Sequence, residues 1–287
     1  MNYNISLDDL IPDWNYTASA PTALTRLKRW ASFRQLSAAP KFELLEALEI
    51  RRGRWIAQFF FCPTGELSAS QLYTLARIME STASKLIICA TPLSRMVPAA
   101  LKGHADLLYW KSMGGYDFSS YSIALTELSM RAPGSDVTLM NDSVFGPFLP
   151  YDQLWEGANW DVSGFTAASK WENHLQSYAL QIRGVTPERL LHLRPIFRRR
   201  TAFNHYAGVV LNQESRLAAV AARTMTVGAR WFSGPAQSLD PSLHAAVPLL
   251  EAGFPFLKKA LFTKHSGIEN ASELRAALMR QGHPLED

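Results

Sequence analysis

The chain has 287 residues, of which 47% are hydrophobic and 19% are charged, and its formal net charge is +4. A chain of this length and composition buries a substantial core, and it lacks the dense basic patches of a dedicated nucleic-acid binder. Its mild positive charge suits nucleotide diphosphates, other anionic substrates or an anionic membrane surface. No apolar run reaches the roughly 18 residues of a membrane-spanning helix, and the N-terminus lacks the pattern of a secretory signal. We therefore expect a cytoplasmic protein, either soluble or peripheral at the inner face of the cytoplasmic membrane.

The two cysteines, Cys62 and Cys89, each end an apolar run. Their spacing matches neither a metal-ligand motif nor a disulfide framework. Free thiols of this kind are typical of a reducing compartment, which agrees with the expected location.

The first 45 residues are interpreted as an N-terminal extension and residues 46–287 as a single domain. Residues 1–20 are expected to be irregular. Residues 22–36 predict a basic amphipathic helix, because apolar side chains recur there at spacings of three: Leu24, Leu27, Trp30, Phe33 and Leu36. Packing of this apolar stripe on the main domain is favoured, since that is the commonest use of a short helix with one apolar face. The alternative is a membrane-surface helix with Trp30 among its anchors.

Residues 55–62 form an apolar run that predicts a buried strand, and residues 85–90 predict a second one. Between them, Ser68 or Ser70 can cap a helix whose apolar residues keep the helical period. Strand, helix and strand in this order imply two parallel strands joined by a crossover. The preceding residues 42–50 remain ambiguous between helix and strand.

The rest of the chain continues the alternation. Residues 105–111 and 137–140 predict further strands, and residues 119–130 the helix between them. Helices are also expected over residues 93–103, 151–156, 186–197 and 272–280. Residues 201–231 have a helical pattern, with Gly228 as a plausible cap. Together these elements predict an α/β fold with a mostly parallel central sheet flanked by helices.

Acidic residues follow two of the predicted strands: Asp117 comes after residues 105–111, and Asp142 lies within Asn141-Asp142-Ser143 after residues 137–140. Open α/β sheets bind their ligands at this edge, and a carboxylate beside small polar side chains suits a divalent cation carrying substrate phosphates. The alternatives are an Asx turn, in which Asn141 and Asp142 bond their own backbone, and a helix N-cap at Asp117.

Four ordered segments resemble the rhamnan synthesis protein F family of bacterial surface-polysaccharide assembly. They are residues 115–118 (Gly-Tyr-Asp-Phe), 141–147 (Asn-Asp-Ser-Val-Phe-Gly-Pro), 164–166 (Gly-Phe-Thr) and 174–178 (His-Leu-Gln-Ser-Tyr). Residues 240–242 and 255–258 resemble the C-terminal pattern of that family. The resemblance implies a GT-A-like glycosyltransferase fold, a nucleotide-sugar donor and a lipid-linked or polymeric glycan acceptor.

The resemblance also implies roles for individual residues. Asp142 would bind a divalent metal, Mn²⁺ or Mg²⁺, although Asn141-Asp142-Ser143 has one carboxylate where many GT-A enzymes have two. His244 and His265 are candidates to complete such a site. The residues expected at the donor are Asp117, Tyr116, Asn141, Ser143 and Lys258. An ordinary surface position is the alternative for Lys258.

Glu172 is expected to be the general base of an inverting transferase, and His174 would share or orient that role. An exposed glutamate in a first helical turn is the alternative for Glu172. The residues expected in the acceptor or sugar pocket are Gln176, Ser177, Tyr178 and Trp171. For Trp171, which could stack on a sugar, the alternative is a core tryptophan.

The sequence therefore favours a glycosyltransferase of bacterial surface-polysaccharide synthesis. A first alternative is a glycan- or partner-binding protein that keeps the fold without transfer, favoured by the single carboxylate at Asp142. A second is an α/β methyltransferase with Gly114-Gly115 as its cofactor turn. The second is weaker because a dinucleotide-binding fingerprint normally follows the first strand, whereas this glycine pair follows the third.

Overall fold

A central sheet of ten strands organises the computed structural model, which describes residues 5–48 and 50–284. In chain order the strands are β1 (Ile11–Asn15), β2 (Leu36–Ala38), β3 (Phe42–Ala47), β4 (Arg54–Phe61), β5 (Ser84–Ala90), β6 (Leu107–Lys111), β7 (Ser135–Met140), β8 (Val144–Phe145), β9 (Val162–Ala168), β10 (His174–Leu175), β11 (Ala179–Val185), β12 (Thr201–Phe203), β13 (Val227–Ser233) and β14 (Leu257–Lys258). The α-helices are α1 (Ala23–Phe33), α2 (Ala69–Met79), α3 (Tyr116–Arg131), α4 (Pro187–Leu193), α5 (Tyr206–Val209), α6 (Ser215–Ala221), α7 (Pro241–His244), α8 (Ala246–Glu251) and α9 (Ala271–Arg280).

The strands of the central sheet lie in the order β1-β13-β9-β11-β7-β4-β5-β6-β3, and β10 pairs with β9. Their pairings set β13, β9, β7, β4, β5 and β6 in one direction and β1, β11 and β3 in the other. The sheet is therefore mixed but mostly parallel, and the predicted α/β architecture is confirmed. Two small ribbons, β12 with β2 and β14 with β8, lie outside this sheet.

The predicted strand–helix–strand unit is present as β4, α2 and β5. Its strands pair in parallel, and residues 55–60 of β4 are buried, as an apolar run in a central strand requires. Ser68 caps α2 by accepting a hydrogen bond from the backbone N–H of Gln71. Cys62 and Cys89 lie at the ends of these two strands as buried free thiols.

The N-terminal residues are built into the sheet rather than appended to it. Residues 11–15, which were expected to be irregular, form the edge strand β1 against β13, and Trp14 stacks on Phe232 with ring centroids 4.2 Å apart. The ambiguous residues 42–50 contribute β3, the strand at the opposite edge. Pro12 and the polar residues beside it hide the strand pattern of β1, because pairing along one edge tolerates proline.

Two expected helices are absent from the described structure. Residues 93–103 contain only the short 3₁₀ turns Ser94–Met96 and Ala99–Leu101, on either side of Pro98, whose missing N–H disfavours a continuous helix. Residues 201–231 are helical only over α5, a π turn (Val210–Glu214) and α6, between the strands β12 and β13. Gly228 is not a cap. It lies in β13, where an added Cβ would come within 2.1 Å of Cε2 of Trp160.

The helix predicted over residues 22–36 forms as α1, but its orientation is opposite to the favoured expectation. Thr25 and Ser32 are buried on its inner side, whereas Leu24, Leu27 and Trp30 are 59%, 60% and 56% exposed. Polar contacts attach α1 to the domain, together with Phe33, whose ring lies 6.1 Å from that of the buried Phe203, while Leu24, Leu27 and Trp30 face outward. None of the helices in the described ranges is long and apolar enough to cross a bilayer.

Candidate functional site

A pair of carboxylates lies at the carboxyl edge of the sheet. Asp117 is in the first turn of α3, directly after β6, and Asn141 from the end of β7 donates a hydrogen bond from Nδ2 to its Oδ2 (2.8 Å). Ser177, just before β11, donates from Oγ to Oε2 of Glu214 (2.7 Å) and lies 3.4 Å from Oδ2 of Asp117. A hydroxyl has one proton to donate, so Ser177 cannot satisfy both carboxylates at once. We call Asp117 and Glu214 the carboxylate pair.

The electrostatics of Asp117 follow from this arrangement. Burial raises the pKa of its carboxyl to about 6, the charge of Glu214 adds to the rise, and the hydrogen bonds from the Phe118 N–H and Asn141 oppose it. A buried carboxyl whose pKa is raised, with a second carboxylate nearby, is a recurrent property of functional sites.

Glu214 was not predicted from the sequence. It is the last residue of the π turn that interrupts the helix running from α5 to α6, and such turns are frequent at functional sites. The sequence signal was the polar run of residues 212–216 (Asn-Gln-Glu-Ser-Arg) between two apolar stretches of the helix. Asn212 and Gln213 are buried and hydrogen-bonded, so the run is more than a solvated face.

The turn before Asp117 has an unusual backbone. Gly115 has φ +82° and Tyr116 has φ +47°, which is uncommon for a residue with a side chain. The Gly115 N–H donates to Oδ1 of Asn204 (2.8 Å), and Nζ of the fully buried Lys111 donates to the Gly114 carbonyl (2.5 Å). These contacts hold the backbone of residues 114–116 in place. Tyr116, next to Asp117 in the chain, is 43% exposed. Backbone strain of this kind clusters at ligand sites.

A partly buried cation, Lys258, lies near the carboxylate pair. Nζ of Lys258 contacts Oε1 of Gln176 (3.1 Å) and Oδ2 of Asp240 (3.4 Å), and it lies 5.2 Å from the ring centroid of Tyr178. Burial would lower the pKa of Lys258, but the charges of Asp240 and Glu214 outweigh it and the net pKa is raised. Lys258 is therefore charged at neutral pH and within electrostatic reach of the carboxylate pair.

Pairing of β14 with β8 explains the position of Lys258. It sets Lys258 opposite Val144, directly after Asn141-Asp142-Ser143, and the Lys259 N–H donates to the Ser143 carbonyl (3.0 Å). Within Asn141-Asp142-Ser143, Oδ1 of Asn141 accepts from the N–H of Ser143 (3.0 Å) and from its hydroxyl (2.6 Å). The Asx turn that stood as the alternative is thus present, while Nδ2 of Asn141 reaches Asp117.

Asp142 has different partners. Its Oδ2 accepts hydrogen bonds from the Phe61 N–H (2.8 Å) and from Nε2 of Gln71 (2.7 Å), which ties the end of β7 to β4 and α2. Burial raises the pKa of Asp142, and these two donors and Lys259 oppose the rise. The side chain of Asp142 is engaged as a structural link, in contrast to the carboxylate pair.

The two residues expected to act as base, His174 and Glu172, are both buried but have different partners. His174 is buried, and its Nδ1 is 2.8 Å from the carbonyl of Glu172. A carbonyl only accepts, so Nδ1 carries the proton, and Nε2 of the neutral ring is left to accept one. His174 is within electrostatic reach of Asp240. The Glu172 carboxylate is buried, and its Oε1 forms an ion pair with Arg29.

The remaining predicted residues are divided between the site and its surroundings. Gln176 holds Lys258, and the Ser177 carbonyl accepts from the Tyr121 hydroxyl (2.8 Å). Tyr178 is buried, and its hydroxyl pairs with that of Thr166 (2.8 Å), so it supports Lys258 with its ring rather than offering a polar group. Trp171 lies between Lys28 and Lys170, each with Nζ 5.8 Å from its ring. It does not join the carboxylate pair.

Among the described residues, no three His, Cys, Asp or Glu side chains are arranged to hold a metal by themselves. Mg²⁺ needs less from a protein, because one or two carboxylates with substrate phosphates and water complete its shell. Asp117 and Glu214 offer two neighbouring carboxylates for that purpose, although both oxygens of Asp117 accept a hydrogen bond, from the Phe118 N–H and from Asn141. In Asp142, Oδ2 accepts from two donors. Of the candidate histidines, His265 lies within electrostatic reach of Asp240 and Lys258, and His244 ends α7.

Comparison with known protein families shows where this chain belongs. The family model described as rhamnan synthesis protein F covers residues 86–282, which is more than half of the chain and includes both members of the carboxylate pair and Lys258. No curated protein matches the sequence. The matched range also contains the four segments on which the resemblance in sequence was noted. The chain therefore belongs to the rhamnan synthesis protein F family.

Proposed function

We propose that this protein is a glycosyltransferase that moves a sugar from a nucleotide-sugar donor to a lipid-linked or polymeric glycan acceptor in rhamnan-type surface-polysaccharide synthesis. The family supports a role in rhamnan synthesis. The observation that carries the step from family to activity is the convergence of Asp117, Glu214 and Lys258 at the ligand-binding edge of an α/β sheet. A GT-A-like donor site and a location at the inner face of the cytoplasmic membrane are parts of this proposal.

The leaving nucleoside diphosphate develops negative charge that has to be stabilised. Lys258 provides a preformed, partly buried cation, which stabilises developing charge more than the same cation in water would. The carboxylate pair would hold a divalent cation, Mg²⁺ or Mn²⁺, which supplies Lewis-acid stabilisation of the diphosphate when bound. Asn141 and Ser177 orient the pair through the hydrogen bonds described above. Tyr116 offers an exposed ring on which a nucleotide base can stack.

The acceptor hydroxyl needs a general base. We assign this role to Nε2 of His174, because the bond from Nδ1 to the Glu172 carbonyl fixes the tautomer that can accept a proton. Glu172 then acts as a positioning residue. Its ion pair with Arg29 anchors the segment that carries the carbonyl.

Donor hydrolysis and transfer, measured with a panel of nucleotide sugars with and without Mn²⁺, test the proposal. We expect turnover in the wild type and a loss of about 10²-fold or more in Asp117→Asn. The matched control is Asp142→Asn, the same change at the neighbouring strand end, which should keep turnover within about threefold because its remaining oxygen can still accept hydrogen bonds. If Asp142→Asn lost turnover while Asp117→Asn kept it, Asp142 would be the metal ligand instead.

A thermal-shift experiment with nucleoside diphosphates separates the alternatives. A transferase and a non-catalytic binding protein both gain stability from the ligand, and only the transferase also turns over the donor. Stabilisation by S-adenosylmethionine with no response to nucleotides would instead support the methyltransferase alternative.

A further inference from the structure

α1 carries its apolar residues on the outer surface of the protein. Leu24, Leu27, Trp30 and Phe33 follow one another at spacings of three along the helix, and all four are exposed. We call these four residues the α1 ridge. An exposed apolar row on a helix is unusual for a free surface, because amphipathic helices normally turn that face inward.

The polar contacts on the inner side of α1 fix its orientation. Arg29 points inward, where Nε donates to the Leu211 carbonyl (2.7 Å), and Nη2 donates to Oγ of Ser215 (2.9 Å) and pairs with Glu172. Ser32 is buried beside Arg29, and its Oγ accepts from Nδ2 of Asn212 (2.8 Å). Rotating the ridge inward would break this network and strand the buried Glu172 carboxylate. The outward direction of the ridge is therefore built into the fold.

Positive charge surrounds the ridge. The sequence has no acidic residue from Tyr16 to Phe42, and its basic residues there are Arg26, Lys28, Arg29, Arg34 and Lys41. The Arg34 guanidinium lies 4.0 Å from the Trp30 ring centroid, and that of Arg198 lies 4.9 Å from the Phe33 ring. An arginine stacked beside an exposed aromatic ring is suited to a boundary between apolar chains and anionic headgroups.

From these observations we propose that α1 docks the protein on an anionic lipid bilayer. The α1 ridge inserts at the level of the headgroups while Arg26, Lys28 and Arg34 contact the lipid phosphates. Contact between two copies through the same surface would bring these basic residues together, which disfavours a symmetric dimer. The inference rests on α1 itself and does not require transferase activity. If the proposed function also holds, the Arg29–Glu172 pair connects the docking helix to the segment of His174.

Co-sedimentation of the full chain with vesicles of phosphatidylcholine, with and without phosphatidylglycerol, tests the proposal. We expect binding to the anionic vesicles that weakens with salt, and much weaker binding to the neutral ones. The double substitution Leu27→Glu/Trp30→Ala should reduce partitioning about tenfold or more. The matched control is Leu191→Glu on α4, which is 65% exposed and lies outside the ridge, and its partitioning should not change.

A charge variant, Arg26→Glu/Lys28→Glu, leaves the ridge intact and should also reduce binding to anionic vesicles about tenfold or more, with little effect on neutral ones. Unfolding curves check that each variant remains folded. Unchanged partitioning of the Leu27→Glu/Trp30→Ala variant would overturn the proposal. So would a wild type that fails to bind anionic vesicles, or one that forms a dimer which the same substitutions dissolve, because a second copy would then cover the ridge.

Discussion

Asp117 and Asp142 start from nearly the same position and end in different environments. Each follows a parallel strand at the same edge of the sheet, and burial raises the pKa of both. Asp142 is met by two neutral donors, the Phe61 N–H and Gln71, on a single oxygen. Asp117 also has two neutral donors, the Phe118 N–H on Oδ1 and Nδ2 of Asn141 on Oδ2, but it lies near a second carboxylate, that of Glu214.

We propose that this difference separates a structural carboxylate from a functional one. Neutral donors oppose part of the effect of burial on Asp142, and among the described residues the groups that shift its pKa include no second carboxylate. The carboxylate pair leaves negative charges close together, which lowers the stability of the folded protein unless a proton or a cation is present. An arrangement that lowers the stability of the folded protein in this way is expected at functional sites.

Replacing Glu214 is the strongest test of the functional role proposed for the carboxylate pair. Glu214→Gln keeps the hydrogen bond from Ser177 but removes one charge of the pair. We expect kcat/KM for sugar transfer to fall about 10²- to 10³-fold, because charge stabilisation at the diphosphate is lost. The control is Glu273→Gln on α9, an exposed glutamate whose replacement should leave kcat/KM unchanged. Equal activity of Glu214→Gln and wild type would show that the pair is structural.

Replacing Asp142 by alanine tests the structural role proposed for this residue. The change leaves the Phe61 N–H and the Gln71 amide without their acceptor, so the free energy of unfolding should fall by about 2 to 3 kcal/mol. Denaturation by urea measures this, with Asp142→Asn as the milder control. The folded variant should retain kcat. A large loss of kcat without loss of stability would instead make Asp142 a ligand-binding residue.

The pH dependence of stability sharpens the comparison. The folded protein holds a proton on Asp117 up to about pH 6, whereas an unfolded chain releases it near pH 3.8, so this group makes the protein less stable as pH rises between those values. Asp117→Asn should therefore raise the free energy of unfolding at pH 7 to 8 by about 1 to 2 kcal/mol. That is less than the roughly 3 kcal/mol implied by two pKa units, because solvent reaches Asp117.

The measurement is chemical denaturation of both proteins at pH 4 and pH 8. At pH 4 the two should differ little, since the wild-type carboxyl is already protonated in the folded state. A stabilisation that is equal at both pH values would show that repulsion within the carboxylate pair is not its source.

Ser177→Ala should have the smallest effect. Without the hydroxyl, Glu214 and Asp117 repel each other more strongly, so the acidic limb of the pH–rate profile should move to higher pH by less than about one unit. Activity at the optimum should fall about three- to tenfold. A profile that keeps its position while activity falls would mean that Ser177 contacts substrate rather than modulating the pair.

Local sequence was enough to determine much of the framework. β4, β5, β6 and β7 were predicted because continuous apolar runs between turn signals are specific for buried strands. The segments that carry Asp117 and Asn141 were correctly placed at one edge, since parallel neighbours end on the same side. The motifs in residues 115–118 and 141–147 also indicated the family that the family model confirms.

Tertiary structure alone decided which polar groups meet. Asp142 is 71 residues from Gln71, and Glu172 is 143 residues from Arg29, so no local pattern shows that either carboxylate is already engaged. Glu214 was missed for the same reason, because its partner Ser177 lies in a distant part of the sequence. The outward orientation of α1 was also missed, because it depends on the long-range contacts of Arg29. Apolar periodicity reports how much of a segment is buried, but a hydrogen bond or an ion pair is a property of two segments, and only folding brings them together.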